Sequence, residues 1–272
     1  MTALYLIHLG LNRPPFSKEV EPEELWIPPS KQDLVEQVVE ALEERASVVL
    51  LGDSGVGKTY VLRAVDHKLP AGRFRLTYCH NATLGRRDFY RHLCLALGLS
   101  PHATAAGLFY AVSTHVEQLA AERVHPVFLL DEAHLLHQDT LDHLHILLNY
   151  RWDSRALLSL VLVGLPDLHD RLLLRRNRAL YSRLHHRLVV PPLTLEDTAE
   201  YVRLRLQRAG ATSEVFLADA VALLHETTGG SMREIDRLAT LALREAGRRK
   251  KRLVERHLVA KVLEAELEES AI

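Results

Sequence analysis

The sequence predicts an α/β fold with a five-stranded parallel sheet, followed by a helical C-terminal domain. Between residues 30 and 190, short β-rich apolar runs alternate with longer amphipathic segments, which is typical of parallel sheets covered by helices. After Pro191-Pro192 every apolar face has a helical period and no strand-like run follows. The expected strands are Ser47–Leu51, Arg73–Cys79, Pro126–Asp131, Leu158–Gly164 and Arg187–Val190.

Helix-period segments separate the expected strands and then fill the C-terminal part. Those of the core are expected at 31–45, 58–68, 86–97, 107–123, 134–150 and 166–184, and those after the core at 194–209, 214–225, 231–247 and 255–267. Five prolines precede residue 30, so this segment is expected to be extended. The predicted organisation is an N-terminal arm at 1–30, an α/β core at 31–192 and a helical lid at 193–272.

Length and composition restrict the class of protein. The chain has 272 residues, of which 47% are hydrophobic, and its net charge is −1, which excludes disordered and fibrous classes. No apolar run approaches the roughly 20 residues of a membrane-spanning helix, so no membrane partner is expected. Two distant cysteines and an N-terminus without signal-peptide features favour a cytoplasmic location. The near-zero charge requires any nucleic-acid contact to come from a local patch or from many subunits.

A phosphate-binding pattern follows the first expected strand. Residues 52–59 match G-x-x-x-x-G-K-[ST] between a strand and a helix, the context that this pattern needs. The candidate ATP-binding residues are Gly52, Asp53, Ser54, Gly55, Val56, Gly57, Lys58 and Thr59. Backbone N–H groups would cradle the phosphates, Lys58 would reach the β- and γ-phosphates, and the Thr59 hydroxyl would bind Mg²⁺. The alternative is a glycine turn with a chance lysine.

Two adjacent carboxylates end the third expected strand. Asp131 and Glu132 follow the apolar run Val127–Leu130, and burying such a pair is costly unless a cation or a reaction uses it. Asp131 is expected to hold Mg²⁺ through water, and Glu132 to polarise the attacking water. The pair therefore predicts ATP hydrolysis in addition to binding. The alternative is a strand that ends in a solvated acidic turn.

These motifs, with a helical C-terminal part, resemble those of AAA+ ATPases, and the chain is similar to the ExeA-type proteins, especially those resembling TniB and TnsC that partner transposases. The matching stretches are GLNRPPFS at 10–17, GDSGVGKT at 52–59, RRDFYRHLCLALGL at 86–99, VFLLDEAHLL at 127–136, LLNYRWDS at 147–154, LVLVG at 160–164, SRLHHRLVVPPLT at 182–194, EYVRLRLQRAG at 200–210 and TGGSMREIDRLATLAL at 228–243. The resemblance implies a P-loop AAA+ core.

The resemblance also implies roles for single residues. Arg233 matches the sensor-2 arginine, which contacts the γ-phosphate of its own subunit. Arg183 and Arg187 match the arginines that precede the last strand, one of which would reach the nucleotide of a neighbouring subunit; we favour Arg183. Asn149 matches an asparagine that faces the nucleotide. Leu165 stands where relatives usually have a glutamine that contacts the γ-phosphate, which predicts slow or assembly-dependent hydrolysis.

Three basic clusters are candidates for polyanion contact. In the resembling transposition ATPases the region of Arg86, Arg87 and Arg91 tracks DNA phosphates, so these are the candidate DNA-binding residues; an exposed helix start is the alternative. Six arginines between 171 and 187 form a subunit interface, a polyanion contact or a solvated face, and the basic run 248–252 is expected to be a solvated turn.

Histidines and tryptophans attract further hypotheses. Histidines 134, 137, 143 and 145 follow the acidic pair, but 143 and 145 cannot share a helix face, so we predict no zinc site there. Trp26 and Trp152 are expected to be buried aromatics.

The resemblance favours one function among three. The favoured one is a transposition regulator that assembles with ATP on double-stranded DNA, as a homo-oligomer or helical filament, selects the target, and recruits or stimulates a transposase, with hydrolysis driving disassembly. The alternative is an ExeA-like secretion-assembly ATPase without a DNA partner. A signalling NTPase is the third class.

Overall fold

The computed structural model describes residues 4–17, 24–79 and 84–270. Its centre is a five-stranded, wholly parallel sheet in the order β2-β3-β4-β1-β5. The strands are β1 (Ser47–Leu51), β2 (Phe74–Cys79), β3 (His125–Leu130), β4 (Ser159–Gly164) and β5 (Leu184–Val189). The predicted α/β fold with a five-stranded parallel sheet is confirmed.

Strand position in the sheet follows from residue pattern. Every residue of β1, β3 and β4 is buried, and these strands are the three central ones. β2 and β5 lie at the edges, and each mixes exposed and half-buried residues with its buried ones. Strands covered on both faces need continuous apolar runs, whereas an edge strand tolerates polar residues. For this reason the sequence predicts β1, β3 and β4 most clearly.

The helices are α1 (Leu4–Leu9), α2 (Pro29–Glu43), α3 (Lys58–Lys68), α4 (Arg86–Ala96), α5 (Ala105–Ala121), α6 (Gln138–Leu147), α7 (Asp167–Leu173), α8 (Arg178–Tyr181), α9 (Leu195–Arg208), α10 (Ala218–Thr228), α11 (Met232–Arg248) and α12 (Arg256–Ser270). Among the described residues, no helix has both the length and the apolar character needed to cross a bilayer.

The structure divides the chain into two compact units. One comprises 33–53 and 58–190, and contains the sheet and α3 to α8. The other comprises 1–32, 54–57 and 191–272, and contains α1 and α9 to α12. Four residues of the phosphate-loop pattern therefore group with the C-terminal helices.

Two long helices expected in the core are interrupted, which corrects the sequence prediction. The segment expected at 134–150 consists of a 3-10 turn, Ala133–Leu135, and α6, because Leu136 has ψ 133° and ends the turn. The segment expected at 166–184 is α7, a 3-10 turn and α8. The second break lies at Leu174, which has ψ 139°, and beyond it the buried Asn177 amide donates to the Arg171 carbonyl at 2.7 Å and accepts from Gln138.

The last strand begins earlier than predicted. β5 pairs with β1 from Leu184 onward, three residues before the expected start at Arg187. Its outward positions carry His185 and Arg187, and these polar residues hide an edge strand from a search for apolar runs. Arg187 consequently lies inside the strand, whereas Arg183 immediately precedes it.

The N-terminal segment is not simply extended, which corrects a second expectation. Residues 4–9 form α1, whose Tyr5 and Leu6 are buried. The backbone of α11 approaches so closely that a Cβ at Gly247 would lie 2.5 Å from Tyr5 Cβ. Arg205 Nε donates to the Pro15 carbonyl at 2.6 Å. Within this unit, the N-terminal residues therefore pack as an integral part of the helical layer. Residues 1–3 and 18–23 of the predicted arm, and 271–272 of the predicted lid, lie outside the described residues.

Candidate functional site

The loop between β1 and α3 has a backbone that requires glycine. Gly55 and Gly57 have φ values of 83° and 97°, in the left-handed region where other residues are strained. Their positive φ values let successive N–H groups turn toward one side, which is the geometry of an anion-binding nest. α3 begins directly at Lys58, so the positive end of its dipole faces the same loop.

Lys58 ties the first part of this loop together. Its side chain is buried, and Nζ donates to the Gly52 carbonyl at 2.7 Å and to the Asp53 carbonyl at 2.9 Å. The Gly52 N–H in turn donates to the Gly164 carbonyl at 3.1 Å, at the end of β4. Gly52 and Asp53, which begin the loop, are therefore anchored to the sheet and to the Lys58 ammonium group, which the sequence pattern predicts to bind phosphate.

Asp131 is held by hydrogen bonds to both carboxylate oxygens. It is 7% exposed; its Oδ2 accepts from the Tyr78 hydroxyl at 2.7 Å, and its Oδ1 accepts from the Glu132 N–H at 2.9 Å. Burial, reinforced by the hydrogen bond to Asp131, raises the pKa of Tyr78 well above its usual range, so the phenol stays a donor. The sequence analysis missed Tyr78; its place at the end of β2 was the available signal.

Glu132 adopts an unusual backbone conformation. Its φ of 52° is left-handed, and it precedes the 3-10 turn that replaces the expected helix start. Its side chain is 51% exposed, and its Oε2 lies 3.5 Å from His134 Nδ1. A carboxylate with this freedom can face solvent water, as a general base requires.

The order of the strands places the starts of the two motifs at the same end of the sheet, where the carboxyl ends of the parallel strands lie. β4 lies between β1 and β3, and all three run parallel, so Gly52 and Asp131 follow strands on either side of Gly164. Ligand sites of parallel sheets form at the carboxyl ends of their strands. The start of the sequence-predicted loop and the acidic pair thus lie at the same end of the sheet, where the fold builds such sites.

The donor set suits Mg²⁺ bound together with a nucleotide. The Thr59 hydroxyl, exposed in the first turn of α3, and the Asp131 carboxylate are hard oxygen donors of the kind that Mg²⁺ prefers. Among the described residues, no three His, Cys, Asp or Glu side chains form a group that could hold a metal ion. A metal at this edge would accordingly need phosphate oxygens and waters to complete its coordination, as in P-loop proteins.

Arg233 contacts the part of the loop that groups with the C-terminal helices. Its Nη1 donates to Ser54 Oγ at 2.7 Å, and its N–H donates to the Gly55 carbonyl at 3.3 Å. A Cβ at Gly55 would lie 2.5 Å from Ser231 Oγ and 2.9 Å from Arg233 Cβ. The start of α11 therefore packs on the loop backbone so tightly that only glycine fits.

The two candidate finger arginines have partners within their own chain. Arg183 Nη2 donates to Asp153 Oδ2 at 2.7 Å, and Nη1 donates to the Ala179 carbonyl at 3.0 Å. Arg187 Nη2 donates to the Tyr181 carbonyl, and its guanidinium lies 3.9 Å from the centre of the Tyr181 ring.

Other sequence-predicted residues lie at the surface. Asn149 is exposed just beyond the end of α6. Trp152, expected to be buried, is 99% exposed, because it lies in a turn where Arg151, Trp152 and Asp153 all have positive φ.

The three basic clusters differ in how far their charges are used. In the cluster at 171–187, Arg171 donates to the backbone carbonyls of His134 and Leu136, and Arg176 pairs with Asp142 at 2.5 Å. In the cluster at 248–252, three of the five basic residues form ion pairs. Arg248 and Arg249 pair with Glu245, and Lys251 pairs with Glu255.

The third cluster lies on α4 and is exposed. Within the described part of the chain, no carboxylate lies within 4.0 Å of the guanidinium groups of Arg86, Arg87 and Arg91. Their charges are therefore the least neutralised of the three clusters.

The sheet order, the glycine-dependent loop and the acidic pair define the α/β AAA+ fold. Residues 39–172 match the family model described as "AAA domain", which indicates nucleotide binding. A curated relative, general secretion pathway protein A from Aeromonas hydrophila, is 33% identical over 88% of this chain, but the match spans only 44% of that longer protein.

Solved structures with this fold are also similar. A structure of Drosophila ORC bound to DNA matches 96% of this chain and 65% of that chain, with a TM-score of 0.70 and 22% identity. Cdc6p from Pyrobaculum aerophilum matches 88% of this chain and 67% of that chain, with a TM-score of 0.67 and 18% identity. At these identities the likeness establishes the fold alone.

Proposed function

We propose that this chain is an ATP-hydrolysing AAA+ switch whose subunits assemble when ATP is bound. The observation that carries the proposal is the sheet edge at which the loop after β1 and the pair Asp131–Glu132 flank the end of β4. A buried acid, a half-exposed acid and a lysine-anchored loop at one edge are the parts that phosphoryl transfer to water requires.

Each residue has a distinct part in the proposed reaction. The loop N–H groups and Lys58 would hold the triphosphate, and Arg233 would contact its γ-phosphate. Thr59 directly, and Asp131 through water, would hold Mg²⁺, which would neutralise charge on the phosphates. Glu132 takes a proton from water as the water oxygen bonds to the γ-phosphorus. The bond from that phosphorus to the β–γ bridging oxygen breaks, and ADP and phosphate leave.

Assembly would complete the site. Arg183 from an adjoining subunit would stabilise charge on the transferring phosphoryl group, as a guanidinium delivered in trans does in related chemistry. Leu165 offers no polar side-chain atom at the end of β4, which supports slow turnover in isolated subunits. Loss of the γ-phosphate would remove the contact between subunits, so hydrolysis would favour disassembly.

The proposed cellular role is that of an ExeA-like ATPase, which uses this cycle to assemble a secretion machine. The identity with general secretion pathway protein A supports this role, which the sequence analysis placed second. Because the match spans 44% of that relative, the role concerns the ATPase part that both share.

A second candidate is the transposition regulator that assembles on duplex DNA and acts on a transposase. The exposed arginines of α4 favour it, since three guanidinium groups that have no carboxylate partner among the described residues, near one helix start, suit sequence-independent phosphate contact. The residue-by-residue resemblance to TniB- and TnsC-like proteins points the same way.

Sedimentation of the purified chain separates these candidates. With a non-hydrolysable ATP analogue, we expect assembly without DNA for the secretion role and assembly dependent on duplex DNA at low salt for the transposition role. A single small species under all conditions would refute nucleotide-driven assembly in either form.

Two substitutions test the ATPase site itself. Lys58→Ala should abolish nucleotide binding, whereas Lys68→Ala, an exposed lysine at the end of the same helix, should not. Glu132→Gln should bind ATP but hydrolyse it at least about 100-fold more slowly, because the base is lost. Micromolar binding by the Lys58 variant, or normal turnover by the Glu132 variant, would contradict the assigned roles.

A further inference from the structure

His134 lies against the proposed base but has no role in the scheme above. Its Nδ1 is 3.5 Å from Glu132 Oε2. The His134 side chain is 12% exposed and that of Glu132 is 51% exposed, so a largely fixed imidazole lies beside a carboxylate with room to turn. The imidazole can therefore decide where that carboxylate points.

The backbone at the end of β4 fixes the imidazole. The Leu165 N–H donates to His134 Nδ1 at 3.4 Å. A Cβ at Gly164 would lie 3.3 Å from the same nitrogen and 3.2 Å from the His134 backbone nitrogen, so the strand end and the ring pack closely. Arg171 donates to the His134 carbonyl and, at 2.7 Å, to the Leu136 carbonyl. The ring position is thus set by β4 and α7.

A single nitrogen faces two partners. While Nδ1 accepts from the Leu165 N–H, it carries no proton and cannot donate to Glu132 at the same time. A displacement of Leu165, at the end of β4, would change whether Nδ1 can donate a hydrogen bond to the Glu132 carboxylate. The Leu165 side chain has no polar atom, so His134 is the side chain that links this strand end to Glu132 in the described structure.

We propose that His134 is a positioning residue for ATP hydrolysis, which sets the direction of the Glu132 carboxylate according to the position of the end of β4. The inference rests on the proposed function, because it takes Glu132 as the base. The order of the sheet puts this strand end between the start of the phosphate loop and Asp131, so a nucleotide bound there would lie beside it. The arrangement follows the general pattern of a base oriented by a third group.

A matched pair of variants tests the proposal. Asn and Leu have nearly the same branched shape, but Asn places a polar atom close to where Nδ1 lies. His134→Leu should lower kcat about tenfold or more, because a base misplaced by about an ångström loses much of its effect. His134→Asn should stay within about threefold of wild type, and both should bind the ATP analogue as tightly as wild type. Equal turnover in the two variants, whether both high or both low, would overturn the proposal.

A double-substitution cycle separates this proposal from the proposed function. If His134 acts through Glu132, then His134→Leu should cause no further loss of turnover in the Glu132→Gln background. If Glu132→Gln alone keeps normal turnover, the proposed function fails. If Glu132→Gln abolishes turnover and His134→Leu leaves it unchanged, only the role of His134 fails.

A spectroscopic measurement covers the case in which the Leu variant does not fold. The imidazole ¹⁵N resonances of His134 are compared in the wild-type chain and in Glu132→Gln. Because Nδ1 faces the carboxylate, its resonance should shift when that group becomes an amide. An unchanged Nδ1 resonance would overturn the proposal.

Discussion

Arg183 and Asp153 form an ion pair within one chain, with 2.7 Å between Arg183 Nη2 and Asp153 Oδ2. Asp153 is the third of three consecutive residues with positive φ, an arrangement that costs on the order of 1 kcal/mol per residue for side chains other than glycine. The Arg183 Nε is buried without a hydrogen-bond partner among the described residues. The Arg183 guanidinium is therefore held beside a strained turn, and its Nε–H forms no hydrogen bond within the described residues.

We expect Arg183→Ala to uncouple assembly from hydrolysis. The guanidinium is not part of the loop that holds the triphosphate in its own subunit, so nucleotide binding by the isolated chain should be unchanged. Turnover in assembled protein should fall about 1000-fold, as when an arginine supplied in trans is removed. ATPase assays over a range of protein concentration measure this effect. Arg187→Ala is the control, and a normal rate in the Arg183 variant with a loss in the control would assign the finger to Arg187.

Much of the fold could be predicted because the central strands are continuous apolar runs. β1 matches its predicted bounds, β3 begins and ends one residue earlier than predicted, and β4 begins one residue later. The edge strand β5 was misplaced because its outward residues are polar. The two broken helices were missed because the chain becomes extended at Leu136 and Leu174, and the hydrogen bond between Gln138 and Asn177 beside the second break is a tertiary contact that leaves no periodic signal.

The residues of the candidate site likewise fall into those that the sequence could reveal and those that it could not. The loop at 52–59 and the acidic pair could be found because their chemistry needs fixed residue types at fixed spacing. Tyr78 was missed because its hydrogen bond to Asp131 depends on β2 lying beside β3, and the role of His134 was missed because its approach to Glu132 depends on a 3-10 turn where a helix was expected. The exposure of Trp152 was likewise unpredictable, because backbone strain in its turn decides it.

Gly55→Ala should destabilise the chain more than a comparable glycine substitution elsewhere. The new Cβ would lie 2.5 Å from Ser231 Oγ and 2.9 Å from Arg233 Cβ, at a φ of 83°. Gly98→Ala is a matched control, because Gly98 has a φ of 73° but no atom within 4 Å of the added Cβ.

Thermal unfolding of the two glycine variants measures the difference. The control should lose about 1 kcal/mol from backbone strain alone, and Gly55→Ala should lose about 1–3 kcal/mol more from overpacking. The Gly55 variant should also bind the ATP analogue more weakly, because the loop must shift. Equal stabilities would show that the loop does not pack on the start of α11 in solution.

The triple variant Arg86→Ala, Arg87→Ala, Arg91→Ala tests the DNA-binding surface. If each arginine contacts a phosphate, DNA affinity should fall for every sequence, and the slope of log K against log salt should decrease by about 0.9 for each lost contact. Binding assays across a salt series measure that slope.

The control for the DNA surface uses arginines whose charges are already paired. Arg203, Arg237 and Arg249 form ion pairs with Glu200, Glu234 and Glu245. Replacing these three by alanine should change the slope little. An equal effect of both triple variants would show that only net charge matters, and no binding by wild type would remove the second candidate function.

Asp236 should make the stability of the chain depend on pH. Burial raises its pKa to about 6, although the Tyr201 hydroxyl donates to Oδ1 at 2.7 Å and opposes the shift. Between about pH 4 and 6 the folded chain keeps a proton that the unfolded chain releases, so the free energy of unfolding falls as pH rises through this window and is constant above it.

Asp236→Asn removes this dependence. At pH 8 the variant should be more stable than wild type by about 2 kcal/mol, since one pKa unit corresponds to about 1.4 kcal/mol and the residue is partly solvated. At pH 4 the two should unfold at nearly the same temperature, because Asp236 is then protonated. Asp66→Asn, at an exposed position on α3, is the control for replacing a carboxyl group by an amide. A variant less stable than wild type at pH 8 would mean that the Asp236 charge is stabilised by Arg205 by more than burial costs it.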